Sequence, residues 1–446
     1  MEFNRNCIFC TKKIGYTVDF WFIFSNNDVN VKEGSSMNEN LRRDAEVIVR
    51  HAIASVLPDR AVERALDGME FPGRVFLVAA GKAAWQMSRA AVDCLNVPIS
   101  GGVCVTKYGH VMGDIPGVEC IEAGHPVPDE NSFFGTRRVL EMTERLQETD
   151  TVLFLLSGGG SALFEKPLIS GAELADITNQ LLASGADIVK INTIRKRLSA
   201  VKGGKFARWC APARIEAVVL SDILGDPLDM IASGPAAADS STCADALAIA
   251  KDCGLILSEQ AWECLRTETP KDLTNVRTQV IGSVRRLCAA AGEKCRELGY
   301  ETVFLTDLLD CEAREAGAFL ASMARTHAGS GKKMAFLAGG ETVVHLTGKG
   351  KGGRNQELAL GAARGLAGLR AAVISVGSDG TDGPTDAAGG YTDGDTLAEL
   401  AGKGIDPAAV LADNDAYNAL KAVNGLIFTG PTGTNVNDIA VALVEN

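Results

Sequence analysis

Continuous apolar runs recur along the chain, each ending on a turn of small or acidic residues. Residues 74–80 form the first run, followed by Gly81-Lys82 and a helical period to about residue 94. Residues 151–156 form the second, followed by Ser157-Gly158-Gly159-Gly160-Ser161 and another helix. A third run, 215–220, leads into Ser221-Asp222. Strands without polar alternation are buried on both faces, so strands of this kind alternating with helices predict parallel sheets covered on both sides. Ligands of such sheets collect beyond the carboxyl ends of the strands, where these turns fall.

A polar stretch near 267–278 separates this series from a second one. There the pattern predicts a strand at 280–281, a helix to 298, and strands at 301–305, 334–338, 342–346, 372–376 and 426–429. The expected fold class is α/β: two Rossmann-like domains with mostly parallel sheets, 37–270 and 276–446, flanking a deep cleft that closes about the polar linker. The last segment is free to return to the first domain. Residues 1–36 show no helical period, whereas 38–56 place Leu41, Ala45, Ile48 and Ile53 near a 3.6-residue spacing. The stretch 1–36 is therefore expected to be a disordered or mis-assigned extension, with Met37 as the biological start.

Charge and composition narrow the function. The 446 residues carry 44 basic and 56 acidic side chains, a net charge of −12. No nucleic-acid partner is expected, because binding one needs a basic face that displaces counterions. Aromatic residues make up only 6%, which excludes a stacking surface for single strands. The apolar run at 20–24 is too short for a membrane span or a signal core, so no membrane partner and a cytoplasmic location are expected. The twelve cysteines are scattered, and the one close pair, Cys7 and Cys10, has no second pair to complete a zinc site. They read as free thiols of a reducing compartment.

Candidate chemistry gathers at the turns. Three glycines between two serines let backbone N–H groups converge, so Ser157, Gly158, Gly159, Gly160 and Ser161 are expected to bind an anion. Lys82 opens a helix, the wrong end for a cation unless it holds a phosphate or carboxylate. The segment 348–357 matches Gly-x-Gly-x-x-Gly and joins Lys349, Lys351 and Arg354 to Gly352, Gly353 and Asn355. Three cations there suit polyphosphate better than a nicotinamide dinucleotide, and no acid stands at the spacing that ribose binding needs. Asp379, Asp382 and Asp386 follow an apolar strand, where they suit either Mg²⁺ or a tight turn. Arg195, Ser199 and Lys202 fall on one helix face near Asn192, a candidate site for an anionic substrate. His125, beside Pro126, reads as a structural hydrogen-bonder.

These motifs, with Gly339-Gly340-Glu341 and the segments 124–129, 221–239, 379–384 and 430–435, resemble the class II glycerate kinase family, whose C-terminal part carries the MOFRL signature. The resemblance runs from about Met37 to the C-terminus. It implies ATP-dependent phosphorylation of D-glycerate at the 2-hydroxyl, with Mg²⁺ required. By it, Lys82 and Arg354 act on the phosphoryl group in flight, and residues 157–161 hold phosphate or the glycerate carboxylate. Arg195 and Lys202 would clamp the carboxylate, Glu341, Asp379 or Asp382 would organise Mg²⁺, and Asp222 or Asp379 would orient or deprotonate the hydroxyl. The competing readings are an NAD(P)-dependent hydroxypyruvate reductase, a glycerate 3-kinase and a non-catalytic metabolite sensor. Homo-oligomerisation stays open.

Overall fold

Two six-stranded sheets carry the chain in a computed structural model, which describes residues 38–445. The expectations for residues 1–36, for Met37 and for Cys7 and Cys10 lie outside the described residues. The first sheet comprises β1 (Val75–Ala80), β2 (Ile99–Lys107), β3 (Val118–Ala123), β4 (Thr151–Leu156), β5 (Arg214–Leu220) and β6 (Val276–Gly282). Its order is β3-β2-β1-β4-β5-β6 and every pairing is parallel. The second comprises β7 (Glu301–Leu309), β8 (Met334–Gly340), β9 (Ala371–Gly377), β10 (Gly389–Asp393), β11 (Leu426–Ile427) and β12 (Asp438–Val444). Its order is β11-β10-β9-β12-β8-β7, with β12 antiparallel to both neighbours and only β7–β8 parallel. The second sheet is thus mixed, because the last strand returns through its centre instead of joining the first sheet.

Helices α2 (Pro58–Leu66), α3 (Ala84–Cys94), α4 (Glu130–Met142), α5 (Gly160–Leu163) and α8 (Lys205–Cys210) lie with the first sheet. A helical annex of α6 (Gly171–Ala183), α7 (Ile188–Leu198), α9 (Cys243–Asp252) and α10 (Glu259–Arg266) has its own apolar cluster. Helices α11 (Val284–Glu297), α12 (Ala313–His327) and α13 (Arg354–Leu366) lie with the second sheet. So does α1 (Glu39–Ser55), which packs on α11 although it opens the described chain.

Three expectations are corrected. β6 pairs with β5, so the boundary drawn at 276 falls one strand early. The polar stretch before it is pinned within the first unit: Thr269 Oγ1 donates to Asp239 Oδ2 at 2.7 Å, and Asn275 Nδ2 donates to Ala213 O at 2.9 Å. The residues 342–346, expected as a strand, form only an isolated bridge at Val343.

The strands β1, β4, β8, β9 and β12 are buried along their whole length, as continuous apolar runs require. One apolar core joins the sheets, uniting Leu77 and Leu155 with Leu337 and Val441 through Ile48, Met87 and Leu287. Among the described residues no helix is long and apolar enough to cross a membrane.

Candidate active site

The first sheet reverses its winding between β1 and β4, with β2 and β3 to one side and β5 and β6 to the other. The loops leaving β1 and β4 therefore diverge and open a crevice. They are the Gly81-Lys82 turn and the 157–161 loop. Ser157 joins them: its buried Oγ accepts from Ala83 N at 3.0 Å, while Lys82 N donates to Gly158 O at 2.9 Å. Its hydroxyl is thus a strut between the two loops. Gly160 N closes the turn on Ser157 O at 3.2 Å. The N–H groups of Gly158, Gly159 and Ser161 meet no acceptor among the described residues, which leaves them to an anion.

Close packing draws three side chains to this loop. A Cβ at Gly158 would fall 2.1 Å from Asp222 Oδ2, so the carboxylate beyond β5 lies directly against the backbone. Gly159 has φ +84°, and a Cβ there would sit 2.9 Å from His125 Nε2 and 3.3 Å from Lys82 Cγ. Among the described residues the Lys82 ammonium and the Asp222 carboxylate form no ion pair, and the His125 ring makes no hydrogen bond, so the structural hydrogen-bonding expected of His125 is not seen. Burial pushes the Asp222 carboxyl up, with Lys82 pulling it back. Burial, and then the charge of Lys82, lowers His125.

The facing wall comes from the second sheet. The β12 register sets Asp438 opposite Gly340 on one side and Gly377 on the other. Arg354, first residue of α13, donates from Nη2 to Asp438 Oδ1 at 3.1 Å and from Nε to Oδ2, a two-pronged grip. Its Nη1 donates to Glu341 Oε1 at 3.0 Å. Asn437 Nδ2 lies 3.1 Å from both Glu341 Oε2 and Asp222 O, bridging the walls. Burial pushes the Asp438 carboxyl up to about 6 against the pull of Arg354.

Other expected residues divide. Asn192 Oδ1 accepts from Ser233 Oγ at 3.0 Å, and that hydroxyl lies 3.0 Å from Ser161 Oγ. Arg195 Nη2 donates to Ser161 O at 3.1 Å, so both residues stay beside the loop. Lys202 does not. Helix α7 ends at Leu198, which breaks the expected common face, and Lys202 is fully buried with its Nζ on Phe164 O at 2.7 Å and Glu165 Oε2 at 3.1 Å. It is a structural ion pair and no substrate clamp.

Asp382 is likewise corrected. Its buried carboxylate accepts from Asn355 N at 3.1 Å and Gln356 N at 2.9 Å, capping the unsatisfied amides of α13 instead of facing a metal. Asn355 is buried against Asp382 and Ser375, so its side chain is not available to a ligand. The Gly-x-Gly-x-x-Gly amides are also occupied. Thr347 N and Gly348 N donate to Asn414 Oδ1 at 2.8 and 2.9 Å, Lys349 N to Asp413 Oδ1 at 3.1 Å, and Lys351 N to Asp415 Oδ1 at 2.9 Å. Only the N–H groups of Gly352 and Gly353, leading into Arg354, meet no acceptor among the described residues. Asp379 Oδ1 accepts from Thr381 N at 2.9 Å, while Oδ2 accepts no hydrogen bond among the described residues. Among the described residues no group of three or more His, Cys, Asp and Glu is placed to hold a metal ion.

Asn437 and Asp438 escaped the sequence reading. Their signal is the unbroken apolar run 439–444 that follows them, a buried strand with two polar residues at its start.

Residues 44–266 match a family model described as a domain of unknown function (DUF4147), and 334–438 match the MOFRL family. The chain is 52% identical to D-glycerate 2-kinase of Thermotoga maritima, over 91% of this chain and 99% of that one. It is 43% identical to glycerate 2-kinase of Pyrococcus horikoshii, over 90% and 96%. A crystal structure of glycerate kinase from Thermotoga maritima superposes with a TM-score of 0.88 at 51% identity, over 91% of this chain and all of that one.

Proposed function

The chain belongs to the glycerate 2-kinase family, and on that premise we propose that it transfers the γ-phosphoryl group of ATP to the 2-hydroxyl of D-glycerate, giving 2-phosphoglycerate and ADP. The observation that carries the reading is the crevice between β1 and β4. There the N–H groups of Gly158, Gly159 and Ser161, without an acceptor among the described residues, adjoin the side chain of Lys82, whose ammonium has no ion-pair partner among them.

Phosphoryl transfer asks the protein for positioning and for charge on the equatorial oxygens. Lys82 supplies charge from one wall and Arg354 from the other, with Arg354 aimed by Asp438 and Glu341. The N–H groups of Gly158, Gly159 and Ser161 hold an anionic end of either substrate, and Gly352 and Gly353 offer two more donors. Arg195, whose Nη1 makes no hydrogen bond among the described residues, offers it to the glycerate carboxylate. Asp222 has the burial of a general base, since a raised pKa brings a carboxylate nearer to the hydroxyl proton it takes.

Mg²⁺ fits as an ion that arrives on the nucleotide phosphates, which needs only one or two protein carboxylates. Asp379, whose Oδ2 accepts no hydrogen bond among the described residues, would hold it, and its chemistry is neutralisation of phosphate charge. Ten free cysteines among the described residues suit a cytoplasmic setting. The occupied amides of 347–351 argue against a dinucleotide and hence against the reductase reading.

The test is D-glycerate with Mg·ATP and enolase as the sole coupling enzyme, following phosphoenolpyruvate. A signal supports 2-phosphorylation. Silence that is relieved by adding phosphoglycerate mutase makes the enzyme a 3-kinase, and NADH consumption with hydroxypyruvate in a mixture otherwise silent makes it a reductase.

A further inference from the structure

At the amino-terminal ends of β5 and β6, opposite the catalytic loops, the turn after α2 roofs a cavity of about 420 Å³. Its lining includes Arg64, Arg214, Glu216, Arg277 and Gln279. The parallel register sets Glu216 beside Arg277, so both side chains project from the sheet face that farther along β5 carries buried Val218 and Leu220. Charged groups on that face do not belong to the apolar core; they surround the cavity.

Two of them are incompletely satisfied. Glu216 is only 3% exposed, and although Oε1 pairs with Arg214 Nε at 3.2 Å, the buried Oε2 has no partner. The side chain of Arg277, at the exposed rim, forms no ion pair or hydrogen bond among the described residues. The site thus wants a donor for Glu216 and an acceptor for Arg277. Three arginines balance Glu216, Asp67 and Glu70 around the cavity, so a ligand of no net charge enters without upsetting the field.

We propose that this cavity binds a small zwitterion, an α-amino acid, with its ammonium on Glu216 Oε2 and its carboxylate on Arg277. The volume lies within the range of small-molecule sites. Strand β5 runs from this cavity to the turn that carries Asp222, so the ligand would rest on the far end of a catalytic strand.

The experiment is calorimetric titration of the full-length enzyme with each of the common L-amino acids, using propionate and ethylamine as probes that lack one charge. At least one amino acid is expected to bind with Kd of about 1 mM or tighter. Arg277→Ala and Glu216→Gln should weaken it by about tenfold or more, the loss of one charge-assisted contact. Turnover of Arg277→Ala without amino acid should match the parent. The proposal is overturned if no amino acid binds, if Arg277→Ala binds as tightly as the parent, or if either single-charge probe binds as well. Arg277 is exposed, so its variant decides the matter even where Glu216→Gln fails to fold.

Discussion

Arg354 grips Asp438 with two nitrogens on two oxygens, although 84 residues separate them. One residue starts α13 and the other starts β12, so the contact exists only when the last strand has entered the centre of the second sheet. Asp438→Asn keeps the volume and removes the charge that aims Arg354. We expect kcat to fall about 10²- to 10³-fold, the scale of losing one transition-state donor, with a smaller change in KM. Steady-state kinetics with circular dichroism as a folding control checks this; an unchanged kcat removes Asp438 from its positioning role.

The same carboxyl sets a pH dependence. Burial holds it near 6, above its ordinary 3.8, so kcat/KM should rise with pH through about 6 as the carboxylate forms, and this limb should vanish in Asp438→Asn. Stability has the opposite sign. The folded chain binds this proton more tightly than the unfolded one, so the contribution is fully present below the unfolded value and is lost as pH rises through about 6. Melting curves of parent and variant across that window separate the two effects.

Lys82→Ala should lower kcat by about 10³-fold while leaving the melting temperature near that of the parent, since among the described residues the ammonium makes no ion pair or hydrogen bond and acts on Asp222 and His125 only through its charge. Lys82→Arg should restore only part of the rate, because a guanidinium is larger and planar. A Lys82→Ala enzyme of near-parental turnover would overturn the assignment.

Gly158→Ala forces a methyl group onto Asp222. Either the carboxylate or the loop must yield, at a cost of about 1–3 kcal/mol and with most of the activity. Chemical denaturation and an ATP-coupled assay report the two losses, and retention of both would show that Asp222 and the loop are not in register.

Lys202→Met tests the corrected residue. Removing one member of a fully buried ion pair strands Glu165, so unfolding should become easier by about 3–5 kcal/mol. KM for glycerate of the folded fraction should stay put. A large rise in KM at unchanged stability would return Lys202 to the substrate site.

The strands and loops of the crevice were legible because burial on both faces writes an unbroken apolar run and a glycine loop ends it, as at 151–161. Lys82, Asp222 and Arg354 stand beside glycine turns of this kind. Burial and pairing across the chain are not written locally. Lys202 reads as one more cation until Glu165 is found beside it, and Asp382 reads as a metal ligand until α13 is seen resting its amides on it. The pairing of β6 with the first sheet escaped for the same reason, since its half-buried residues differ little from those of a strand opening a new domain.

The packing of α1 on α11 has a consequence for synthesis. The apolar side of α1, with Leu41, Ala45 and Ile48, leaves the ribosome about 230 residues before α11, the surface that covers it. At roughly 5–20 residues per second, translation keeps that helix waiting for some tens of seconds while the first sheet is already complete enough to fold. The first described helix to be made is thus among the last to find its place, and a nascent chain stalled before α11 is a chain with an uncovered hydrophobic face.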